Sequence, residues 1–231
     1  MVSKNICECL ERIGKAQSRA QRTDGVVLVA VTKNVPAEHI FQALDAGVLN
    51  IGENRIQEAL AKYPAVCAHA QKKRLCLRWH MIGHLQTNKA KEAVGYFDLI
   101  HSIDSLKLAR EIDRQAARRN KTQDVLFQVN ISGEESKHGF SPQELEACEK
   151  DLFRLKNVRA CGLMTMAPWT EDAGQARPVF RALRLLRDTM VQRTGRRLDV
   201  LSMGMSDDFE TAVEEGATMV RLGRLIFGEG I

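Results

Sequence analysis

The stretch VVLVAVTKNVPAEHI, residues 26–40, decides the fold because it predicts a complete strand-to-helix unit. Six apolar residues, mostly β-branched, precede the first charge, which is typical of a strand covered on both faces in a parallel sheet. Pro36 suits the first turn of the following helix, and the acidic Glu38 suits its positive end. Lys33 is therefore predicted at the carboxyl end of a buried strand, and the alternative interpretation is a solvated loop lysine.

The same unit recurs along the chain and predicts a barrel. Eight apolar runs alternate with amphipathic segments that carry N-cap residues or end in glycine. Within 231 residues this predicts one α/β domain, a (β/α)8 TIM barrel over 1–231, with residues 1–24 as a helix packed on it. No dinucleotide-type glycine fingerprint follows the first strand, which argues against a doubly wound sheet. The predicted strands are 26–31, 48–52, 77–83, 99–103, 125–130, 160–166, 200–204 and 218–223, and the predicted helices are 37–47, 54–63, 105–120, 141–155, 176–195 and 207–216.

Composition excludes several classes of protein. No apolar run of about 18 residues is present, so no membrane span is expected. Ile6, Leu10 and Ile13 follow helical spacing within a charged N-terminus, which predicts a docked helix rather than a secretory signal. Six cysteines without a CxxC pair favour reduced thiols and a cytoplasmic location. The net charge of +5 is spread over helical segments without stacking aromatics, so no nucleic-acid partner is expected. A chain that consists of the barrel alone has no evident dimerisation domain, so a monomer is predicted.

The barrel prediction places functional groups at the carboxyl ends of the strands, with phosphate sites after strands seven and eight. Glycines there allow close backbone approach, and Ser206 can cap a helix whose free N–H groups bind an anion. Asp207 and Asp208 would repel a phosphate, so we expect both to face away; plain turn chemistry is the alternative. The residues at these strand ends include Lys33, Asn54, His80, Ser202, Gly204, Arg221 and Gly223, and Ser206 and Arg224 follow in the last two loops.

An amine facing a phosphate site across the barrel mouth suits a phosphorylated aldehyde. Partial burial near Arg221 is expected to lower the pKa of Lys33 and to favour the reactive neutral amine. Pyridoxal 5′-phosphate (PLP) carries an aldehyde and a phosphate about a ring's width apart, so the hypothesis is that Lys33 holds PLP as a Schiff base. His80 and His84 span a strand and a loop without a third ligand nearby, so no metal site is expected.

Eight motifs together resemble the pyridoxal phosphate homeostasis protein family over nearly the whole chain: VAVTKNVP, IGENRIQEA, WHMIGHLQTNKAK, HSIDS, VNISGEESKHGF, GLMTMAP, LSMGMSDDFETAVEEGATMVRLG and IFG. The resemblance implies a barrel like the N-terminal domain of alanine racemase, with PLP in Schiff-base linkage at Lys33. It implies that Asn54 and His80 line the pocket. Two departures are Thr32, where serine is common, and Arg224, where a small residue is common and where the arginine adds charge or crowds the site. The phosphate contacts that the resemblance implies are Ser202, Gly204, Ser206, Arg221 and Gly223.

Three classes of function follow. The resemblance favours a PLP carrier or buffer in vitamin B6 homeostasis, without turnover, for which PLP-requiring apo-enzymes are candidate recipients. The alternatives are a racemase-like PLP enzyme and a PLP-free sugar-phosphate lyase that uses Lys33. The lyase needs acid–base groups, and Glu53 is the evident one.

Racemisation is not expected, because it needs two bases on opposite faces of the substrate. Tyr63 and Tyr96 fall outside the strand ends, and the sequence reaches Ile231 directly after the eighth unit, without room for a second domain. An arginine at position 221 near the ring nitrogen would also weaken PLP as an electron sink. Lys137 in the loop over 132–140 is interpreted as a solvated loop lysine, and the alternative is a lid that carries it towards the cofactor. The methionines at 164, 166, 203 and 205 are interpreted as barrel core.

Overall fold

Eight parallel strands close into a barrel in the order of the chain, and the first strand pairs with the last. The computed structural model describes residues 1–134, 137–169 and 172–228. Within these ranges each strand bonds to the next along the chain, so the predicted (β/α)8 architecture is confirmed. The strands are β1 (Val27–Val31), β2 (Asn50–Glu53), β3 (Arg78–Met81), β4 (Leu99–Ile103), β5 (Gln123–Gln128), β6 (Val158–Met164), β7 (Val200–Ser202) and β8 (Met219–Leu222).

Helices follow the strands, and local sequence signals fix several of their ends. Ser141 caps its helix as predicted: its hydroxyl accepts from the Glu144 N–H, and the Glu144 carboxylate accepts from the Ser141 N–H in return. None of the described helices combines the length and the apolar character needed to cross a bilayer. The helices are α1 (Val2–Arg19), α2 (Ala37–Asp45), α3 (Ile56–Lys73), α4 (Ala90–Tyr96), α5 (Leu106–Ala117), α6 (Pro142–Leu152), α7 (Arg177–Thr194), α8 (Phe209–Glu214) and α9 (Arg224–Phe227).

Three helical predictions differ from the structure. Helix α3 continues through Pro64 to Lys73 instead of ending at residue 63, because the buried Val66 and Ala70 extend its apolar face. Helix α4 was missed, since seven residues carry too little periodicity to identify a helix. Ser206 is not the cap of the helix after β7; that helix begins at Phe209, and Asp208 occupies the N-cap position.

The barrel interior is filled by both apolar and polar side chains. Every residue of β4 is buried, as expected for a central parallel strand covered on both faces. A small apolar cluster inside the barrel is separate from the main core between strands and helices. Polar side chains from alternate positions of the same strands share this interior with the cluster. The buried residues of the inner cluster are Val29, Leu99, Leu126, Met164 and Met219.

Helix α1 packs against α8 and α9, near the other end of the described chain. Its inner face includes the fully buried Ile6 and the nearly buried Ile13. The Asn5 side-chain amide donates to the Ile226 carbonyl at 2.9 Å, and Arg12 pairs with Glu210 at 3.0 Å. The helix lies where the sequence predicts a docked helix, and it ends at Arg19 rather than at residue 24. The prediction that Leu10 shares its buried face is wrong, since Leu10 is 46% exposed.

We expect the Ile6→Ala variant to lower the free energy of unfolding by about 2–5 kcal/mol, because it removes a fully buried side chain and leaves a cavity. Leu10→Ala is the matched control on the same helix, and its effect should stay within about 0.5 kcal/mol. Urea unfolding followed by circular dichroism measures both. Equal losses in the two variants would show that α1 does not dock by the face described.

Candidate functional site

A cavity of about 250 Å³ opens at the carboxyl ends of the strands. Of the predicted site residues, Lys33, Asn54 and Arg221 line it together. They come from the ends of β1, β2 and β8, which are neighbours in the closed barrel. The prediction that these three residues lie at the same end of the barrel is therefore confirmed. The cavity is lined by Val31, Lys33, Asn54, Ile82, Gly83, His84, Gln128, His138, Met166, Met205 and Arg221.

A buried ion pair holds the turn that carries Lys33. The Thr32 hydroxyl donates to Glu53 Oε1 at 2.6 Å, and Lys62 Nζ donates both to the same oxygen at 2.9 Å and to the Thr32 carbonyl at 2.6 Å. Burial raises the pKa of Glu53, and the hydrogen bonds from Thr32 and Lys62 oppose that shift. Thr32, which stands where serine is common in the family, thus keeps the hydroxyl that bonds to Glu53. Lys33 itself is exposed, so the prediction that it is partly buried is wrong.

Asn54 is placed beside Lys33 by a close backbone contact. A Cβ on Gly83, in the loop after β3, would lie 2.2 Å from the Asn54 carbonyl oxygen, which no side chain can tolerate. Only glycine fits there, and the loops after β2 and β3 therefore press together at the edge of the cavity. The quoted motif around residues 79–84 includes this glycine for a steric reason.

A chain of hydrogen bonds crosses the barrel interior beneath the cavity. Arg221 Nη1 donates to Ser202 Oγ at 2.8 Å, and that hydroxyl lies 3.0 Å from His101 Nδ1. His101 Nε2 lies 2.9 Å from His80 Nδ1, and His80 Nε2 lies 3.0 Å from Asn50 Oδ1. Because arginine only donates and the amide oxygen only accepts, every proton in this chain points from Arg221 towards Asn50.

Burial fixes the charges along this buried polar chain. Desolvation lowers the pKa of His80 to about 3 and that of His101 well below its ordinary value, so both imidazoles are neutral near pH 7. Desolvation also lowers the pKa of Arg221, to about 10, which leaves it cationic. Arg221 is 4% exposed, and its second amino group donates to the Thr165 carbonyl at 3.1 Å. The chain thus presents one positive charge to the cavity from below.

This arrangement changes the roles of two predicted residues. His80 is fully buried and is not among the residues that line the cavity, so its placement in the pocket wall is wrong. The Ser202 hydroxyl is also fully buried and already lies between Arg221 and His101. Ser202 bonds directly to Arg221, whereas His80 is connected to it only through His101 and Ser202. His101 was missed as a site residue, because its sequence context is that of an ordinary buried strand.

The predicted phosphate residues lie at the ends of β7 and β8 and in the loops that follow these strands. Gly204 has a φ of +91°, which favours glycine, and Met205 beside it lines the cavity. The exposed Arg224 pairs with Asp207, and Asp208 accepts a hydrogen bond from the Met205 N–H at 2.6 Å. Neither carboxylate is among the residues that line the cavity, and the expectation that both face away from a phosphate stays a prediction.

Several residues of the cavity were not predicted. Met166 and Met205 line it, whereas Met164 and Met203 are buried as interpreted. His84 and His138 also line it, with their rings stacked at 3.7 Å between centroids. Only the fold brings these two imidazoles together. Lys137 forms an ion pair with Glu134 at 2.8 Å, and residues 135–136 of the same loop lie outside the described ranges.

Known proteins resemble this chain in sequence and in fold. Residues 10–230 match the family model described as "Alanine racemase, N-terminal domain". A pyridoxal phosphate homeostasis protein of Aquifex aeolicus is 47% identical over 230 residues, covering 97% of this chain and 98% of its own. The chain belongs to the pyridoxal phosphate homeostasis protein family.

A solved structure of similar sequence shows the same barrel. PipY of Synechococcus elongatus PCC7942, with PLP bound, superposes with a TM-score of 0.85 at 36% identity, covering 99% of this chain and 100% of PipY. An alanine racemase of Clostridium difficile 630 shares the fold at 14% identity and a TM-score of 0.71, and 56% of its length is covered. The resemblance to the homeostasis family drawn from the sequence motifs is confirmed.

The buried histidines predict a specific dependence of stability on pH. In the unfolded chain both titrate near pH 6.5, whereas the folded chain keeps them neutral to far lower pH, so stability is lost as pH falls below about 6.5. Each histidine contributes a slope of up to about 1.4 kcal/mol per pH unit below that point. His101→Gln should remove one such contribution between pH 6 and 5.

Ile103→Val is the control for this measurement, because it trims a buried side chain on the same strand without removing a titrating group. It should lower stability by about 0.5–1.5 kcal/mol at every pH and keep the wild-type slope. Urea unfolding at a series of pH values checks both. A wild-type slope in His101→Gln would mean that the native interior does accept a proton on this histidine.

Proposed function

We propose that this protein binds PLP in the cavity at the barrel mouth and serves intracellular PLP homeostasis as a carrier or buffer. One observation supports this above the others: an exposed lysine amine and a buried arginine cation line the same cavity of about 250 Å³. The PLP-bound PipY structure and the names of the relatives agree with this proposal.

The residues of the cavity fit the chemistry of PLP. The Lys33 amine can condense with an aldehyde as a Schiff base, with the loss of one water molecule. Arg221 supplies a fixed positive charge, supported from below by neutral imidazoles, and Asn54 supplies an amide at the rim. PLP, when bound, contributes an aldehyde that forms a reversible covalent bond with an amine, together with a doubly charged phosphate.

The phosphate would be held by the loops after β7 and β8. Gly204, Ser206 and Gly223 offer backbone approach and a hydroxyl, and Arg221 offers charge. We assign Ser202 to positioning Arg221, because its hydroxyl is already engaged. Arg224 would add charge only after leaving Asp207.

The structure does not place the acid–base group that the lyase alternative needs at the cavity. Glu53 is fully buried beneath the Lys33 turn and bonded to Thr32 and Lys62, away from the residues that line the cavity. A sugar-phosphate lyase would need such a group beside the substrate. We therefore favour PLP as the aldehyde that Lys33 binds.

The cellular setting remains part of this proposal. All six cysteines are free thiols, which fits the reducing cytoplasm. A monomer that passes PLP to apo-enzymes is consistent with a cavity open at the barrel mouth. Both features stay predictions.

The purified protein should show a visible absorption band, and borohydride reduction should fix a pyridoxyl group on Lys33. Lys33→Ala and Lys33→Arg should lose the band, since neither side chain condenses with an aldehyde, while some PLP stays bound through the phosphate residues. Lys137→Ala is the control for a nearby lysine and should keep the band. Peptide mapping of the adduct to any other lysine would overturn the assignment of Lys33.

We expect no efficient racemisation of amino acids. Tyr63 and Tyr96 lie with Trp79, Asp98 and Lys121 around a cavity at the amino ends of β3–β5, the opposite end of the barrel from Lys33. Arg221, when it faces a pyridine nitrogen, keeps that nitrogen unprotonated and weakens the electron sink.

Chiral chromatography of alanine and other amino acids, incubated in D₂O with protein and excess PLP, measures both turnover and Cα proton exchange. His84→Ala and His138→Ala belong in the same assay, because these two imidazoles line the cavity beside Lys33 and each is a candidate second base. Turnover that disappears in Lys33→Ala would support the enzyme alternative over a carrier. Turnover that is also lost in a histidine variant would identify that histidine as the second base.

A further inference from the structure

Three side chains from three successive loops meet at the rim of the cavity. His84 follows β3, Asp104 follows β4, and His138 lies in the loop after β5. These strands are neighbours in the barrel, so their carboxyl ends bring residues together that are 20 to 54 positions apart in the chain. One ligand atom from each of the three lies within 4.8 Å of the others. Among the described residues this is the one cluster of its kind.

The positions of these side chains are fixed from behind. The close approach of Gly83 to Asn54 sets the loop that carries His84. The His138 carbonyl accepts a hydrogen bond from the Gln128 side chain at 2.8 Å, and Phe140 pairs with Val129 beside β5. Asp104 immediately precedes Ser105, whose hydroxyl caps α5. The backbones of all three residues are therefore held by contacts that do not involve their own side chains.

The geometry points to a metal ion as the partner of this cluster. We propose that His84, Asp104 and His138 bind one divalent transition-metal ion of the zinc class. His84 Nδ1 and Asp104 Oδ2 are 3.2 Å apart, close to the roughly 3.4 Å that separates two ligand atoms of a tetrahedral zinc. His84 and His138 are exposed, so their rings rotate into place at little cost.

The donor set selects the class of ion. Two imidazoles and one carboxylate suit zinc, cobalt(II) and nickel(II), whereas magnesium and calcium prefer oxygen ligands alone. The single carboxylate leaves the loaded site with one net positive charge, which the nearby Lys33 and Arg221 tolerate better than they would a site of neutral ligands only. Three protein ligands leave a coordination position open. Both imidazoles also line the cavity, so the proposed ion would lie at its rim.

The spacing of His80 and His84 predicted no metal site, because no third ligand lies near them in the sequence. In the structure, however, His80 lies inside the barrel and bonds to His101 and Asn50. The true neighbours of His84 come from the next two strand ends. Nothing in the spacing of the sequence reveals that contact.

The test uses the full-length protein as purified, with the exposed Cys7 and Cys76 changed to serine so that surface thiols do not compete. Titration with Co²⁺, followed by visible absorption, should show one ion per chain, with no thiolate charge-transfer band in the near ultraviolet. Zn²⁺ should displace it stoichiometrically. His84→Ala, Asp104→Asn and His138→Ala should each weaken Co²⁺ binding by at least roughly 100-fold.

His69→Ala is the matched control, because His69 also pairs with a carboxylate, Asp45, at 2.9 Å but belongs to no described three-ligand cluster. It should leave the affinity unchanged. Circular dichroism melting establishes that each variant is folded. Absence of Co²⁺ binding by the parent protein, binding that survives all three substitutions, or a thiolate band would each overturn the proposal.

Discussion

The buried cation of Arg221 is the constraint on which the rest of this site depends. A guanidinium that is 4% exposed must be solvated by protein groups, and the groups in contact with it are neutral: the Ser202 hydroxyl and the Thr165 carbonyl. Asp208 acts on it from a distance and supports its charge. The hydroxyl is in turn oriented by His101 and His80. Several buried polar side chains of the barrel interior therefore serve to stabilise one positive charge beneath the cavity.

That constraint explains why two histidines occupy a barrel core that could have been apolar. If either imidazole were protonated, it would add a second buried positive charge facing Arg221, and burial prevents this. As neutral rings, each imidazole accepts one hydrogen bond from the Arg221 side and donates one towards Asn50, and neither adds a positive charge. A polar network of this kind is stable only when each member is satisfied, and here each ring nitrogen has a partner.

Much of the fold could be predicted from the sequence, and less of the site. Alternating apolar strands and amphipathic helices suffice for the barrel, because periodicity is a local property of the chain. The barrel then places Lys33, Asn54 and Arg221 at one end, as observed. It does not say which strand residues point inwards and bond across the interior, so His80 was put in the pocket wall and His101 was missed. Contacts between loops, such as that between His84 and His138, depend on loop conformation and leave no trace in spacing.

The packing of α1 on α8 and α9 has a consequence for how the chain folds during synthesis. Asn5 bonds to Ile226, 221 residues later, and Val27 of β1 pairs with Met219 of β8, 192 residues later. The first helix and strand leave the ribosome long before their partners exist, so their apolar faces need protection through most of translation. The loops after β7 and β8 and the strand that closes the barrel arrive together. We therefore expect closure of the sheet, docking of the first helix and assembly of the Arg221 end of the cavity to come late in synthesis.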